Sequence, residues 1–285
     1  MKRDKYKKQT RCKRVKEMAS LLELEECLIE SVMKLVNRRK FQQYESACHL
    51  LCTKASSAKT AELLMRKVKR EKEPQMILLV ISLLTASYTK DIYEEQKIPH
   101  SIFLDTMKCF PRFIKETKEK IGRLTYDRFH WTWRQLSMQL FRLGTLEFEW
   151  TAVPIKIQPY LYGEQEKALS VHIPSDAVLT EEMLTESFTQ AKVFFGENVT
   201  FYCHTWLLSP NLNTLLDTSS GIHCFYKQFQ IVGTEDSNAL CYNWLFQSPL
   251  STKTELLPED TSLRRSAKEY LLNGGCLGTG WGVIT

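Results

Sequence analysis

Residues 198–232 read NVTFYCHTWLLSPNLNTLLDTSSGIHCFYKQFQIV. Two alternating apolar runs flank a short segment with a proline and several leucines, the pattern of strand, brief helix and strand. Alternation puts Phe201, Cys203 and Thr205 on one face of the first strand and Tyr202, His204 and Trp206 on the other. An imidazole between two aromatic rings is thereby set into a sheet. Leu212, Leu215 and Leu216 form the helical stripe, and Ser219-Ser220-Gly221 ends it before the second strand, at 222–232.

Strand-like runs recur at 152–158, 168–173, 199–207 and 239–246, with a last one at 281–284. Helical periodicity covers 180–195 and 261–272, and Thr180-Glu181-Glu182-Met183 and Pro258-Glu259-Asp260-Thr261 carry helix-start signals. Upstream of Gly144 the period is helical. Leu21, Leu24, Leu28, Val32 and Leu35 form one stripe, Phe41, Tyr44, Cys48 and Leu51 a second, and Pro74 opens an apolar segment through Tyr88. Asp127 caps a helix whose apolar face takes Phe129, Trp133, Leu136, Leu140 and Phe141, with Gly144 as its terminator. In Leu146-Glu147-Phe148-Glu149-Trp150 the period becomes two, and both carboxylates face the same way. The fold class is α+β. A basic, disordered tail at 1–17 precedes a helical domain at 18–143, and a mixed-sheet domain follows at 144–285.

The 285 residues are 43% hydrophobic and 25% charged, enough to build full cores, and the formal net charge is +6. Residues 1–17 carry nine Lys or Arg against Asp4 and Glu17, a local +7 that leaves −1 for the rest of the chain. A near-neutral body does not supply a basic groove for nucleic acid. The nine cysteines show no metal-type spacing, so no metal site is expected and reduced thiols fit them best. The charged start passes directly into an amphipathic pattern, unlike a secretory signal, and the longest apolar run, 76–84, is short for a bilayer. The expected compartment is the cytoplasm, with no membrane partner.

Several side chains admit two readings. His204 is either a base or a histidine satisfied by a core hydrogen bond. Glu147 and Glu149 are either a base with its partner or the wet side of a sheet. His172 lies on the opposite face from Val171 and Ile173, and meets His204 only if their strands adjoin. Arg142 and Arg128 hold either an anion or a neighbouring carboxylate.

A set of motifs then stands out: Asp127-Arg128 with Trp131 and Trp133, Phe141-Arg142-Leu143-Gly144-Thr145-Leu146-Glu147, and Val171-His172-Ile173-Pro174-Ser175-Asp176-Ala177. Cys203-His204-Thr205-Trp206-Leu207-Leu208, Leu257-Pro258 with Thr261-Ser262-Leu263-Arg264-Arg265, and Gly278-Thr279-Gly280-Trp281-Gly282 complete it. Together they closely resemble a family of bacterial acyltransferase-domain proteins, which join a helical N-acyltransferase N-terminal domain to a GNAT-like C-terminal domain. The resemblance runs from about Leu22 to Ile284.

The resemblance implies transfer of an acyl group from acyl-coenzyme A, the co-substrate, to an amine, on a mixed sheet splayed between two central strands. The pantetheine arm would pair with an exposed strand edge. His204 or Glu147 would serve as the base and Tyr202 as the acid. Glu149, His172 and Trp206 would line the substrate site. Arg264 and Arg265, in the first turn of a helix where cations are unfavourable unless an anion is close, join Arg142 as candidates for the coenzyme phosphates. The superfamily's loop of Arg or Gln followed by x-x-Gly-x-Gly or Ala is not found after any strand. The alternative is a non-catalytic sensor or interaction module on a degenerate GNAT-like fold.

Overall fold

A computed structural model describes residues 2–161 and 166–284. The chain divides into two units, Met1–Arg142 and Leu143–Thr285. The first contains α1 (Lys2–Leu21), α2 (Glu26–Val36), α3 (Glu45–Leu51), α4 (Lys54–Val68), α5 (Pro74–Glu95), α6 (His100–Met107), α7 (Cys109–Ile121) and α8 (Phe129–Leu136). Helix α5 organises it. Every residue from Ile77 to Ser87 is buried, because α1, α2, α3, α4, α6 and α8 all pack on it. Three of its hydroxyls donate to carbonyls: Thr85 to Ile81 O at 2.8 Å, Ser87 to Leu84 O at 2.7 Å and Thr89 to Leu136 O at 2.6 Å. At 22 residues α5 is long and apolar enough to span a bilayer, which the run at 76–84 alone did not suggest, but 67% of its apolar window is buried inside the fold.

The N-terminal segment is a helix, which corrects the expectation of a disordered tail at 1–17. Helical spacing separates its charges from its apolar side chains. Val15, Met18 and Ala19 are buried on one side, while Lys13, Lys16 and Glu17 stay in solvent. Arg11 is only 3% exposed and pairs with Glu45 at 3.0 Å, and Arg14 pairs with Asp91 at 2.9 Å. The repulsion that argued for disorder is thereby relieved by carboxylates from α3 and α5.

The second unit is built on a six-stranded sheet, ordered β1 (Leu140–Leu143), β2 (Leu146–Ala152), β3 (Lys167–His172), β4 (Phe201–Thr205), β6 (Thr279–Ile284) and β5 (Gln230–Glu235). The pairs β2–β3, β4–β6 and β5–β6 are antiparallel, whereas β3 and β4 run parallel. Their connection is α9 (Glu181–Phe195), the long crossover that parallel strands require. Thr180 caps α9 by accepting from Met183 N. Phe188 of α9 packs against Phe148 and Phe201, which closes one face of the sheet.

Five local expectations give way to turn and cap chemistry. The run at 152–158 is not a strand: β2 ends at Ala152 and Ile155–Tyr160 form a 3-10 helical segment. Residues 140–143 form β1 rather than extending α8, and Gly144, at φ +64°, makes the tight turn into β2. Strand β4 stops at Thr205, whose side chain accepts from Leu207 N and caps the turn Trp206–Leu208. The short helix α10 (Pro210–Asn213) follows. Residues 222–227 belong to α11 (Gly221–Lys227), capped by Ser220, so that only the end of the predicted strand is extended, as β5. Residues 241–245 are a π-type helical turn rather than a strand, and α12 (Ser262–Leu272) follows behind its Thr261 cap.

Two outcomes test this architecture. Removing residues 1–17 lowers the melting temperature, since it takes Val15 from the core, a side chain worth about 1.5–3 kcal/mol, together with the Arg11–Glu45 pair. A Cβ on Gly280 would lie 1.9 Å from Leu208 O, whereas one on Gly122 would meet nothing within 4 Å. In urea unfolding Gly280→Ala is expected to cost about 3 kcal/mol or more, and Gly122→Ala about 1–2 kcal/mol.

Candidate active site

The pairing of β3 with β4 is brief. It joins Leu169 to Phe201 and Ser170 to Tyr202, after which β3 runs on to His172 and β4 to Thr205 outside that register. Both strands stay paired on their outer edges, β3 with β2 through Glu147–His172 and β4 with β6 through Thr205–Gly280. The middle of the sheet therefore opens where its two central strands leave each other. Carrying the registers across the sheet puts Glu147, Glu149, Ser170, His172, Tyr202, His204, Thr279, Trp281 and Glu235 on one face. The opposite face is the one α9 covers.

On the β4 side, His204 is half-buried. Its Nε2 lies 3.0 Å from Thr279 Oγ1 and 3.5 Å from Glu235 Oε2. Its ring stacks on Trp281 at 4.1 Å with 9° between the planes. The other oxygen of Glu235 accepts from Trp281 Nε1 at 2.9 Å and from Lys156 Nζ at 2.6 Å. Burial lowers the His204 pKa below its ordinary value; Glu235 opposes the shift and Lys156 adds to it. The Lys156 hydrogen bond, then that of Trp281, holds the Glu235 carboxyl below its usual range. The site thus presents a neutral imidazole beside an ionised carboxylate. Tyr202 is buried, its hydroxyl 2.6 Å from Thr151 Oγ1.

On the β2–β3 side, His172 Nε2 lies 3.0 Å from Glu149 Oε2. Glu147, directly across from His172 in the register, is 2% exposed. His172 and His204 sit on adjacent strands, each two residues beyond the last β3–β4 pair. They bracket the opening, each tied to a different carboxylate.

Other candidates lie elsewhere. Trp206 falls past the end of β4 and packs on the cluster of Leu212, Cys241, Tyr242 and Phe246, so it does not flank His204. Arg264 is held by Asp260 at 2.7 and 2.9 Å and by Leu245 O at 2.7 Å, and Arg265 donates to Glu259 O at 2.9 Å. An acidic residue one turn upstream thus offsets the unfavourable helix dipole. Arg142 lies on β1, where its backbone N–H donates to Thr106 Oγ1 at 3.0 Å. Between the turn Trp206–Leu208 and β5 lie α10 and α11, of four and seven residues, with N-terminal amides capped by Ser209 and Ser220. Among the described residues no three His, Cys, Asp or Glu side chains converge to hold a metal ion.

Residues 140–284 match the model of the GNAT-like C-terminal domain. The chain belongs to this family. Ahead of it, residues 14–138 match the N-acyltransferase N-terminal domain, and the protein is an acyltransferase of GNAT-like type. Comparison with curated protein sequences finds no match. Solved structures of acyltransferases share the fold. One is an acyltransferase in complex with decanoyl-CoA, with a TM-score of 0.69, 17% identity and coverage of 94% of this chain and 86% of that one. Another is an acyltransferase mutant in complex with octanoyl-CoA, with a TM-score of 0.71, 17% identity and coverage of 96% and 88%. A further complex of similar fold, at 18% identity and a TM-score of 0.70, holds decanoyl-CoA and teicoplanin and is covered over 94% of this chain and 86% of that chain.

In this GNAT-like domain, sequence reasoning missed Glu235, Thr279, Trp281 and Lys156. A signal for two of them was present in Gly278-Thr279-Gly280-Trp281-Gly282, where glycine alternates with larger residues. Gly280 and Gly282 face Leu208 and Phe229 too closely for a side chain, which leaves Thr279 and Trp281 on the His204 face. Because the folded protein holds His204 below the ordinary 6.5, the unfolded chain protonates first on acidification. The stabilising contribution is whole above about 6.5 and declines as pH falls toward the lower folded value. The Glu235 contribution, from a depressed carboxyl, is lost in a more acidic range. Thermal melts of His204→Gln should therefore depend less steeply on pH than wild type between about pH 7 and pH 5.

Proposed function

We propose that the protein moves an acyl group from acyl-coenzyme A to an amine, with the thioester in the opening between β3 and β4 and His204 as the proton acceptor. The observation that carries this reading is the early end of the β3–β4 pairing, bracketed on one face by His172 and His204. Diverging strand edges give the amides of a pantetheine arm backbone groups to pair with, as an added strand does. Acyltransferases of similar fold have been solved in complex with decanoyl-CoA and octanoyl-CoA, which fits an acyl-coenzyme A co-substrate.

The amine must lose a proton as it attacks. The Glu235 carboxylate only accepts hydrogen bonds, so it favours the His204 tautomer with hydrogen on Nε2 and leaves the lone pair on Nδ1. A neutral imidazole at pH 7 suits this role. The nitrogen attacks the thioester carbonyl, its proton passes to Nδ1, and a tetrahedral intermediate forms. As it collapses, the C–S bond breaks and the thiolate takes the proton back from the imidazolium. Tyr202, committed to Thr151, forms a wall of the site with Trp281. Buried Glu147 supports the β2–β3 side, while Glu149 and His172 receive the acceptor amine.

Octanoyl-coenzyme A should bind in calorimetry and release free thiol when a primary amine is supplied. His204→Ala should lower that rate by about 10²–10⁴ while leaving octanoyl-coenzyme A affinity within a few-fold. Full activity in His204→Ala would remove the base assignment. Failure of the wild type to bind any acyl-coenzyme A would favour the ligand-sensing alternative.

A further inference from the structure

The carboxylate of Glu235 touches more of the site than any base assignment requires. It comes from β5, at the sheet edge, and reaches three groups from three other elements: Trp281 on β6, Lys156 in the segment Ile155–Tyr160, and His204 on β4. We propose that Glu235 is the positioning residue of this site, holding the Trp281 ring flat against His204 and, with Lys156, setting how readily His204 takes up a proton. This rests on the reading of His204 as the base.

The geometry separates two tasks. One oxygen, Oε1, accepts from the indole N–H at 2.9 Å, which fixes Trp281 in the plane that stacks on the imidazole. The other, Oε2, stands 3.5 Å from His204 Nε2, where a negative charge favours the imidazolium. Lys156 works against it. Its ammonium shares Oε1 at 2.6 Å and lies 5.5 Å from the Trp281 ring centroid, so the carboxylate is partly neutralised. The charged groups around the imidazole are therefore Glu235 from β5 and Lys156 from the 155–160 segment, with the uncharged Thr279 and Trp281 from β6. Glu235 is itself partly exposed, so water does not lock the arrangement away from titration.

Opposite charges on one imidazole yield opposite signatures, which a merely structural contact would not. In the full-length protein, the His204 ring is followed by NMR across pH in wild type, Glu235→Gln and Lys156→Gln, with His204→Gln identifying its signal. Glu235→Gln keeps an acceptor for the indole but loses the charge, and should move the His204 titration to lower pH. Lys156→Gln frees the carboxylate and should move it to higher pH. The acid limb of kcat/KM, measured as thiol release from octanoyl-coenzyme A with ethanolamine, should follow in the same two directions. Titrations that stay at the wild-type position, or that move the same way in both variants, overturn the proposal. If the NMR titrations separate as described but the kinetic limb stays fixed, the Glu235–Lys156 control of His204 stands and the assignment of His204 as base falls. Melting curves for both variants establish that the readings come from folded protein.

Discussion

The early parting of β3 and β4 is the constraint on which the site depends. Two strands that pair through only two residues can diverge because each is secured on its outer edge, β3 by β2 over six residue pairs and β4 by β6 over five. Backbone N–H and C=O groups on the inner edges beyond that point must find partners other than each other. A sheet that loses strand pairing in its middle needs side-chain packing to join its halves. Here Phe188 bridges them from α9 by contacting Phe148 on β2 and Phe201 on β4.

The opening also sorts the chemistry. A parallel pair with matched register carries His172 and His204 to its two rims, and each rim supplies its own carboxylate, Glu149 on one and Glu235 on the other. The β4 rim is aromatic and half-buried, which favours an uncharged imidazole; the β2–β3 rim places a second imidazole directly beside a carboxylate. Two histidines in one fold thus meet different surroundings.

Glycine in β6 matters as much as the titratable groups. The turn Trp206–Leu208 lies so close to Gly280 that only hydrogen fits there, and this contact seats β6 between β4 and β5. Trp281 can then lie over His204 while Gly280 and Gly282 accept the opposite packing. The same turn explains why Trp206 leaves the His204 face: Thr205 and Ser209 cap successive helical turns, and their local hydrogen bonds override the alternation that would have continued the strand.

The amino-acid sequence by itself determined the helical first part, the mixed sheet after it, and the faces of single strands. Period is a local property, and it placed Glu147 with Glu149 and Tyr202 with His204 correctly. It also exposed the family resemblance through motifs that each sit within one element. Tertiary structure alone decided which strands adjoin. His204 meets Thr279 across 75 positions and Glu235 across 31, and no local pattern encodes a partner at that separation. It likewise decided the fate of charge: the basic N-terminal segment folds because Glu45 and Asp91 lie beside Arg11 and Arg14, and Arg264 pairs with Asp260 one turn upstream. Electrostatic energy depends on distance in space, and that distance is set only when the chain packs.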